Sequence, residues 1–275
     1  MTSRRIVQST MVAVLAFVTF LIGVGLLAIM WHILSRGLPE VTPSFLLQAT
    51  ADSGRAGGIL PGIISTMWVT GVAVAISVPL GVGAAVYLAE YARQGRVADL
   101  VRFGTSSLAG IPSVVFGLFG FTFFVIQLGM GWSVMSGGLT MALMILPGLI
   151  RTAEEAIRSV PPEYLEGSLA LGAPKWRAVF GVVVPAALPG IMSGVLLGIG
   201  RSFGETAALI LTAGSAYYTP TSIWQPARTM AVHLYILASE GLSLPRAYGT
   251  AAVLSACILI INVLAHRLAQ AYRVR

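Results

Sequence analysis

Two charged residues stand four positions apart in a long apolar stretch. Arg201 and Glu205 lie inside a predicted membrane span from Ala186 to Thr212, with Arg201 about half-way along it. A charge near the bilayer centre costs about 2.5–3.5 kcal/mol on insertion scales, so such side chains face protein or water rather than lipid. Residues four apart share a helix face, which predicts that this pair can interact. A guanidinium also offers a fork of donors suited to phosphate oxygens.

This pair has two interpretations. In the functional one it is a polar station on a translocation path, where Glu205 holds Arg201 while no substrate is present. In the other it is a structural salt bridge that locks the helix bundle. Small residues on the same span would let another helix approach closely in either case. They are Gly194, Gly198, Gly200 and Gly204.

The composition indicates a membrane protein. Hydrophobic residues make up 56% of the chain and charged residues 10%, whereas a soluble domain carries about 25% charged residues. There are 17 Lys and Arg against 10 Asp and Glu. The basic residues lie in short gaps between apolar runs, which predicts contact with membrane lipid and excludes nucleic acid as a partner. The single cysteine, Cys257, excludes an intrachain disulfide.

The uncharged stretches predict an all-α, polytopic fold with six membrane-spanning helices, because each crossing needs about 20 apolar residues. The first stretch, 6–35, is too long for a signal-peptide core and predicts a retained helix over about 8–35. The stretch 103–150 holds 48 residues without a charge. It must contain two spans, with the turn region marked by Gly129–Gly131 and by Gly137 and Gly138. The other spans are predicted over 56–89, 186–212 and 247–265.

The distribution of basic residues predicts the orientation. Twelve lie on one side of the predicted spans and four on the other, with Arg201 inside a span. The positive-inside rule then places both termini in the cytoplasm. Two outward segments, 36–58 and 213–246, are too short to fold independently, so the chain is one domain over 1–275. The cytoplasmic set is Arg4, Arg5, Arg93, Arg96, Arg102, Arg151, Arg158, Lys175, Arg177, Arg267, Arg273 and Arg275, and the outward set is Arg36, Arg55, Arg228 and Arg246.

The longest cytoplasmic segment, about 158–185, predicts two short helices with a break between them. The break falls at Gly172, Ala173 and Pro174, and proline suits the first turn of a following helix. No Gly-Lys-Ser/Thr follows the glycines of this segment, so it contains no phosphate-cradling P-loop. The chain therefore does not hydrolyse ATP by that chemistry, and the energy must come from a separate subunit.

This segment resembles the EAA loop of ABC-importer permeases. Glu166, the small residues at 167 and 168, Gly172 and, after nine further residues, a Val-x-Val-Pro word ending at Pro185 carry the resemblance. In that family the loop forms a cytoplasmic coupling helix that docks in a cleft of the ATPase. The resemblance implies a coupling loop that includes Glu166, Gly172, Ala173, Lys175 and Pro185.

Three other short motifs resemble those of the phosphate-specific (Pst) ABC permeases. They are residues 87–91, 112–119 and 201–207. The resemblance covers about 57–275 and implies the six-helix type I ABC importer permease fold. It also implies that Arg201, Glu205 and Thr206 lie on the path of inorganic phosphate. Ala208 departs from the family, which commonly has proline there, and this could remove a local helix distortion.

The same resemblance implies the setting of the chain. We expect a bacterial or archaeal cytoplasmic membrane and a second permease subunit that differs from this one. Two ATPase subunits would bind the ATP, and an external phosphate-binding protein would deliver substrate. No cofactor, metal or catalytic residue is expected in this chain, and its short N-terminal region favours the A-type over the C-type subunit.

Two alternatives remain from the sequence. Sulfate- or molybdate-type permeases carry a similar Arg-x-x-Gly-Glu word, although residues 206–207 and 112–113 favour phosphate. An ion-driven secondary transporter or scaffold without an ATPase is the rival from another class, and the 166–185 loop argues against it. His32, His233 and His266 lack metal-ligand spacing. Glu154 and Glu155, beside Arg151 and Arg158, predict a solvated, ion-paired helix end.

Overall fold

The structure is a computed structural model that describes residues 2–92 and 95–273. Its elements are almost all helical. They are α1 Thr2–Gly37, α2 Pro43–Leu47, β1 Thr50–Ala51, β2 Ala56–Gly57, α3 Leu60–Val86, α4 Arg96–Ala109, α5 Ser113–Gly120, α6 Val134–Arg158, α7 Pro162–Ala170, α8 Lys175–Ala178, α9 Val184–Gly204, α10 Ala207–Thr212, α11 Met230–Ser239 and α12 Leu244–Arg273. Arg93 and Arg275, which count toward the predicted orientation, lie outside the described residues.

Helix α6 forms the centre of the bundle. Ser133 starts it, because its hydroxyl accepts a hydrogen bond from the Ser136 N–H. Met141, Met144 and Leu149 are fully or almost fully buried. They belong to an apolar core that also includes side chains of α3, α9 and α10. The predicted all-α fold is therefore confirmed, with a two-stranded antiparallel hairpin as a minor addition.

Five helices are long and apolar enough to cross a membrane among the described residues, and a bent pair can make a sixth. The bent pair is α4 with α5, which meet at an angle of 101°. Pro112 lies at this bend, and a proline disfavours helical backbone in the residue before it. The prediction of two spans in 103–150 did not include this bend. Helix α5 continues as a π-helical segment, Phe121–Gln127.

The turn that was predicted at Gly129–Gly131 is present after this segment. Gly129 and Gly131 have φ of +65° and +62°, which suits glycine in a tight turn. Gly137 and Gly138, in contrast, lie inside α6, so their prediction as turn residues was wrong. A β-carbon on Gly138 would lie 2.4 Å from Val72, because α3 packs directly against this face of α6.

The predicted span over 186–212 is interrupted. A continuous helical path runs from Lys175 through a π-helical segment, Val179–Val183, to Gly204. Glu205 is then extended, with φ −74° and ψ 131°, and a separate short helix, α10, follows. This distortion is present although Ala208 replaces the family's proline.

The segment 213–246, predicted to face outward, contains buried residues. Residues 213–246 contain α11, in which Met230, Val232 and Leu237 are fully buried. Helix α1 is exposed along almost its whole length and contacts α12 near its end, where His32 Nε2 lies 3.2 Å from the Tyr248 hydroxyl. The predicted first helix at about 8–35 and last span at 247–265 are confirmed as parts of the longer α1 and α12.

Candidate functional site

Arg201 occupies the last turn of α9 rather than the middle of a span. Its side chain is exposed on this chain, and it forms no ion pair with any residue that the structure describes. A cation in the last turn of a helix is favoured by the partial negative charge of the free carbonyls. The guanidinium is therefore available to a group that this chain does not supply.

Glu205 does not share a helix face with Arg201, so the predicted pairing was wrong. The helix ends between them, and Glu205 Oε1 accepts hydrogen bonds from the N–H groups of Thr206 and Ala208, each at 3.2 Å. These N–H groups belong to the start of α10, where a carboxylate satisfies free donors and complements the helix dipole. Glu205 thus fixes the break that separates α9 from α10.

Helix α3 contacts the end of α9 just before this break. The Thr70 and Ser202 hydroxyls lie 2.8 Å apart in a buried contact between α3 and α9. Ser202 directly follows Arg201, so this hydrogen bond fixes the backbone that carries the guanidinium. Thr206 is half-buried at the break. Thr70 was not predicted as a site residue, because only the tertiary structure brings it to Ser202.

The predicted coupling loop has the expected form. Helix α7 is followed by a break at Gly172, whose φ of +85° favours glycine, and Pro174 precedes α8. Glu166 and Gly172 are exposed, Ala173 is half-buried, and Pro185 lies exposed in the first turn of α9. Lys175 begins α8 and contacts the end of α3.

Large apolar side chains of this loop point away from the chain. Leu171 is 91% exposed, and Trp176 and Tyr164 are more than half exposed. Helix α7 has no buried residue. Apolar side chains that are exposed together in this way are typical of a docking surface for another protein.

An ionic cluster around the buried Glu154 was not predicted from the sequence. Glu154 Oε1 lies 2.9 Å from Arg102 Nε and 3.0 Å from Arg158 Nη2. The Glu154 side chain is only 10% exposed, whereas Glu155, which pairs with Arg151, is 67% exposed. The prediction of a solvated helix end is therefore confirmed for Glu155 and wrong for Glu154. Arg102 lies 52 positions away in sequence, so no local spacing could have indicated this contact.

A second group of basic side chains lies outside the spanning helices, near Ser53 and Ser215. Arg228 is buried and donates to the Ser215 carbonyl at 2.7 Å and to the Ser53 carbonyl at 3.4 Å. Burial lowers its pKa from the ordinary arginine value. His233 is buried, with 3% of its surface exposed. Burial, with the nearby charges of Arg228 and Arg246, lowers the pKa of His233 to about 4.

Comparison with known families now bears on these features. Residues 77–274 match the family described as the binding-protein-dependent transport system inner membrane component. This match covers most of the chain, including the break after α9 and the loop around α7. The chain belongs to this family. As a member, it is a multi-pass membrane permease component of a transport system that depends on a binding protein.

Curated relatives of this permease cover almost its whole length. A probable ABC transporter permease, YqgI of Bacillus subtilis, is 33% identical over 97% of this chain and 95% of its own. The phosphate transport system permease protein PstA 1 of Mycobacterium tuberculosis is 33% identical over 96% of this chain and 90% of its own. The PstA protein of Yersinia pestis is 33% identical over 92% of this chain and 86% of its own.

Solved structures share the fold of the permease at low sequence identity. A bacterial alginate ABC transporter chain has a TM-score of 0.69, with 14% identity over 93% of this chain and 92% of its own. A chain of the inward-facing MetNI methionine ABC transporter has a TM-score of 0.64, with 17% identity over 78% of this chain and 95% of its own. The type I ABC importer permease fold is thus confirmed.

Proposed function

We propose that this permease moves inorganic phosphate inward across the cytoplasmic membrane, and that Arg201 contacts the anion on the way. The observation that carries the proposal is the free guanidinium of Arg201 at the end of α9. A forked donor pair suits two oxygens of one phosphate. The similarity to phosphate transport system permease proteins supports phosphate over other anions.

The exposure of Arg201 supports a second permease subunit as part of the path. A charge within a membrane protein faces water or protein rather than lipid. On the described surface near Arg201, Gly200 and Gly204 have nothing within 4 Å of a β-carbon position. This open face allows close approach of a second subunit, with a heterodimer expected and this chain as the A-type member. Glu205 and Thr206 shape the path by holding the helix break.

The energy source in this proposal is a pair of separate ATPase subunits. The exposed apolar side chains around Leu171 and Trp176 suit a cleft on such a subunit. Both termini would lie in the cytoplasm, on the side of α7, and an external phosphate-binding protein would dock at the opposite end. ATP would be bound by the ATPases and not by this chain.

Anion uptake by cells that carry Arg201→Gln tests the proposal. We expect phosphate uptake to fall at least about tenfold, because one charge-assisted contact to an anion contributes about 1.5–3 kcal/mol. Arg201→Lys should lose less, since it keeps the charge without the fork. Arg96→Gln, which changes an exposed arginine at the start of α4 outside the coupling loop, is the control for a general loss of charge. Membrane insertion and complex assembly are verified for each variant.

Sulfate and molybdate uptake are measured in the same cells. Phosphate uptake that is unchanged in Arg201→Gln would contradict the pathway role of Arg201. Wild-type uptake of sulfate or molybdate instead of phosphate would contradict the substrate.

A further inference from the structure

Basic side chains from three elements contact the cytoplasmic end of α3, which closes as a π turn, Tyr87–Tyr91. Arg102 of α4 and Arg158 of α6 each donate to the Leu88 carbonyl at 3.4 Å. Lys175 of α8 donates to the Glu90 carbonyl. Cations are favoured at this end of a helix because the last carbonyls have no partner within it.

Lys175 makes a second contact with the same turn. Its Nζ lies 4.9 Å from the centre of the Tyr91 ring, within the range of a cation–π interaction. The ammonium group therefore lies against α3, although Lys175 is exposed on this chain. Arg177, two positions further along α8, lies over the ring of its own neighbour Trp176, with 5.2 Å between the guanidinium carbon and the ring centre.

These contacts hold both ends of the coupling loop. Arg158 is the last residue of α6 before α7, and Lys175 is the first residue after the break at Gly172. Between them, α7 has no buried residue, although the half-buried Leu165 packs on the apolar cluster formed by α3, α6 and α9. A displacement of α7 is thus transmitted through its two ends, and both ends are attached to the π turn of α3.

The two attached helices are joined again near Arg201. A continuous helical path runs from Lys175 to Gly204, and α3 continues from Leu60 into the π turn. At one end Lys175 links the two helices, and toward the other end Thr70 and Ser202 share a buried hydrogen bond. Two links along a pair of packed helices oppose sliding and rotation of one helix against the other.

We propose that Lys175 is a positioning residue that ties the coupling loop to the π turn of α3, so that α3 moves together with α9 during transport. This inference rests on the proposed function, because it presumes an ATPase that displaces the loop. It assigns Lys175 to the permease side of the loop, whereas the apolar side chains of Leu171 and Trp176 face outward. Loss of the tie would let the loop move without moving α3, and ATP would be hydrolysed with less transport.

The test is the number of phosphate ions imported per ATP hydrolysed by the complete transporter in proteoliposomes. We expect Lys175→Met to lower this ratio by about twofold to fivefold, the factor that an exposed cation–π contact supplies. Lys175→Arg keeps a cation that reaches a carbonyl and an aromatic ring, and it should restore the ratio. Arg96→Met is the control, because Arg96 is an exposed basic residue at the start of α4, outside the coupling loop, and it should leave the ratio unchanged.

The ratio separates a positioning role from a loss of folded protein. Fewer intact complexes would lower uptake and ATP hydrolysis together and leave their ratio as in the wild type. An unchanged ratio in Lys175→Met, or an equal fall in Arg96→Met, would overturn the inference. If Lys175→Met does not assemble, Tyr91→Leu removes the ring contact alone and is held to the same criteria.

The proposed function is judged separately in the same vesicles. Wild-type vesicles that import sulfate or molybdate and no phosphate would contradict the substrate, while the ratio for the imported anion still tests Lys175. Wild-type vesicles in which ATP drives uptake of no anion would overturn both proposals.

Discussion

The Thr70 and Ser202 hydroxyls lie 2.8 Å apart, and both residues are buried between α3 and α9. Interhelical hydrogen bonds of this kind contribute about 0.6 kcal/mol on average in membrane proteins and at most about 1.7 kcal/mol. A buried hydroxyl left without its partner costs about 1–3 kcal/mol. The free energy that this hydrogen bond contributes is therefore smaller than the cost of removing only one of its two hydroxyls.

Thr70→Val should consequently be more harmful than the double replacement Thr70→Val/Ser202→Ala. The single change leaves the Ser202 hydroxyl without its partner, whereas the double change removes both polar groups. We expect the single variant to lower the apparent melting temperature of the purified protein and the double variant to recover most of that loss. Equal losses that add in the double variant would show that the two hydroxyls do not interact.

Glu154 should be far less tolerant of substitution than its neighbour Glu155. Glu154→Gln removes the charge that compensates Arg102 and Arg158, and a broken buried ion pair costs about 3–5 kcal/mol. The side chains of Arg102 and Arg158 are 31% and 47% exposed, so solvent screening reduces the cost. We therefore expect Glu154→Gln to lower the free energy of unfolding by about 1–3 kcal/mol.

The control for this prediction is Glu155→Gln, which affects an exposed pair with Arg151 and should stay within about 0.5 kcal/mol. Urea unfolding in detergent measures both variants. Similar losses at the two positions would contradict the burial of Glu154.

Replacement of Glu205 separates its role at the helix break from a role of its charge. Glu205→Gln keeps a side-chain oxygen that accepts hydrogen bonds from the start of α10, so we expect complex assembly close to wild type. Glu205→Ala removes the acceptor and should destabilise the protein by about 1 kcal/mol, as for other lost caps.

Assembly and phosphate uptake are measured for both Glu205 variants. Normal assembly with abolished uptake in Glu205→Gln would assign the importance of Glu205 to its charge. Equal stability of Glu205→Ala and wild type would contradict the capping role.

His233 should make the packing of α11 sensitive to acid. Its folded-state pKa of about 4 lies below the ordinary histidine value of about 6.5. The unfolded chain therefore binds a proton more readily between these values, and stability falls as pH falls through this window. The full decrease in the free energy of unfolding is about 3 kcal/mol, and about 2 kcal/mol of it occurs between pH 7 and pH 5.

The measurement is the apparent melting temperature at pH 7 and pH 5 for wild type and His233→Gln. We expect the variant to start lower at pH 7 and to lose less on acidification, because glutamine does not take up the proton. An equal pH-dependent loss in both proteins would assign the acid sensitivity to other groups.

Much of the fold could be predicted because its cause is local. Apolar runs long enough to cross a bilayer appear directly in the sequence, and so does the break at Gly172 and Pro174. The bend of 101° between α4 and α5 was not predicted, although Pro112 is a visible signal for it. Gly137 and Gly138 were misread as turn residues, since a glycine that ends a helix and one that admits a packed neighbour look alike in sequence.

The sequence singled out the residues of the candidate site, but it did not predict how they are arranged. Arg201 and Glu205 stood out because charges are rare in apolar stretches, and their spacing would place them on one face of a regular helix. The backbone leaves the helix at Glu205, whose carboxylate satisfies N–H groups of α10 instead. Whether a helix continues through a position depends on such competing partners, which spacing alone does not reveal.

The sequence by itself determined the class of the protein, the approximate spans and the residues that we propose to contact an anion. These follow from composition and from periods within single segments. Only the tertiary structure decided that Glu154 is buried between two arginines, that Thr70 meets Ser202, and that Lys175 lies against Tyr91. Residues more than 50 positions apart in sequence form the contacts of Glu154 with Arg102, of Thr70 with Ser202 and of Lys175 with Tyr91. Their free energy comes from burial and from partners that meet only when the helices have packed.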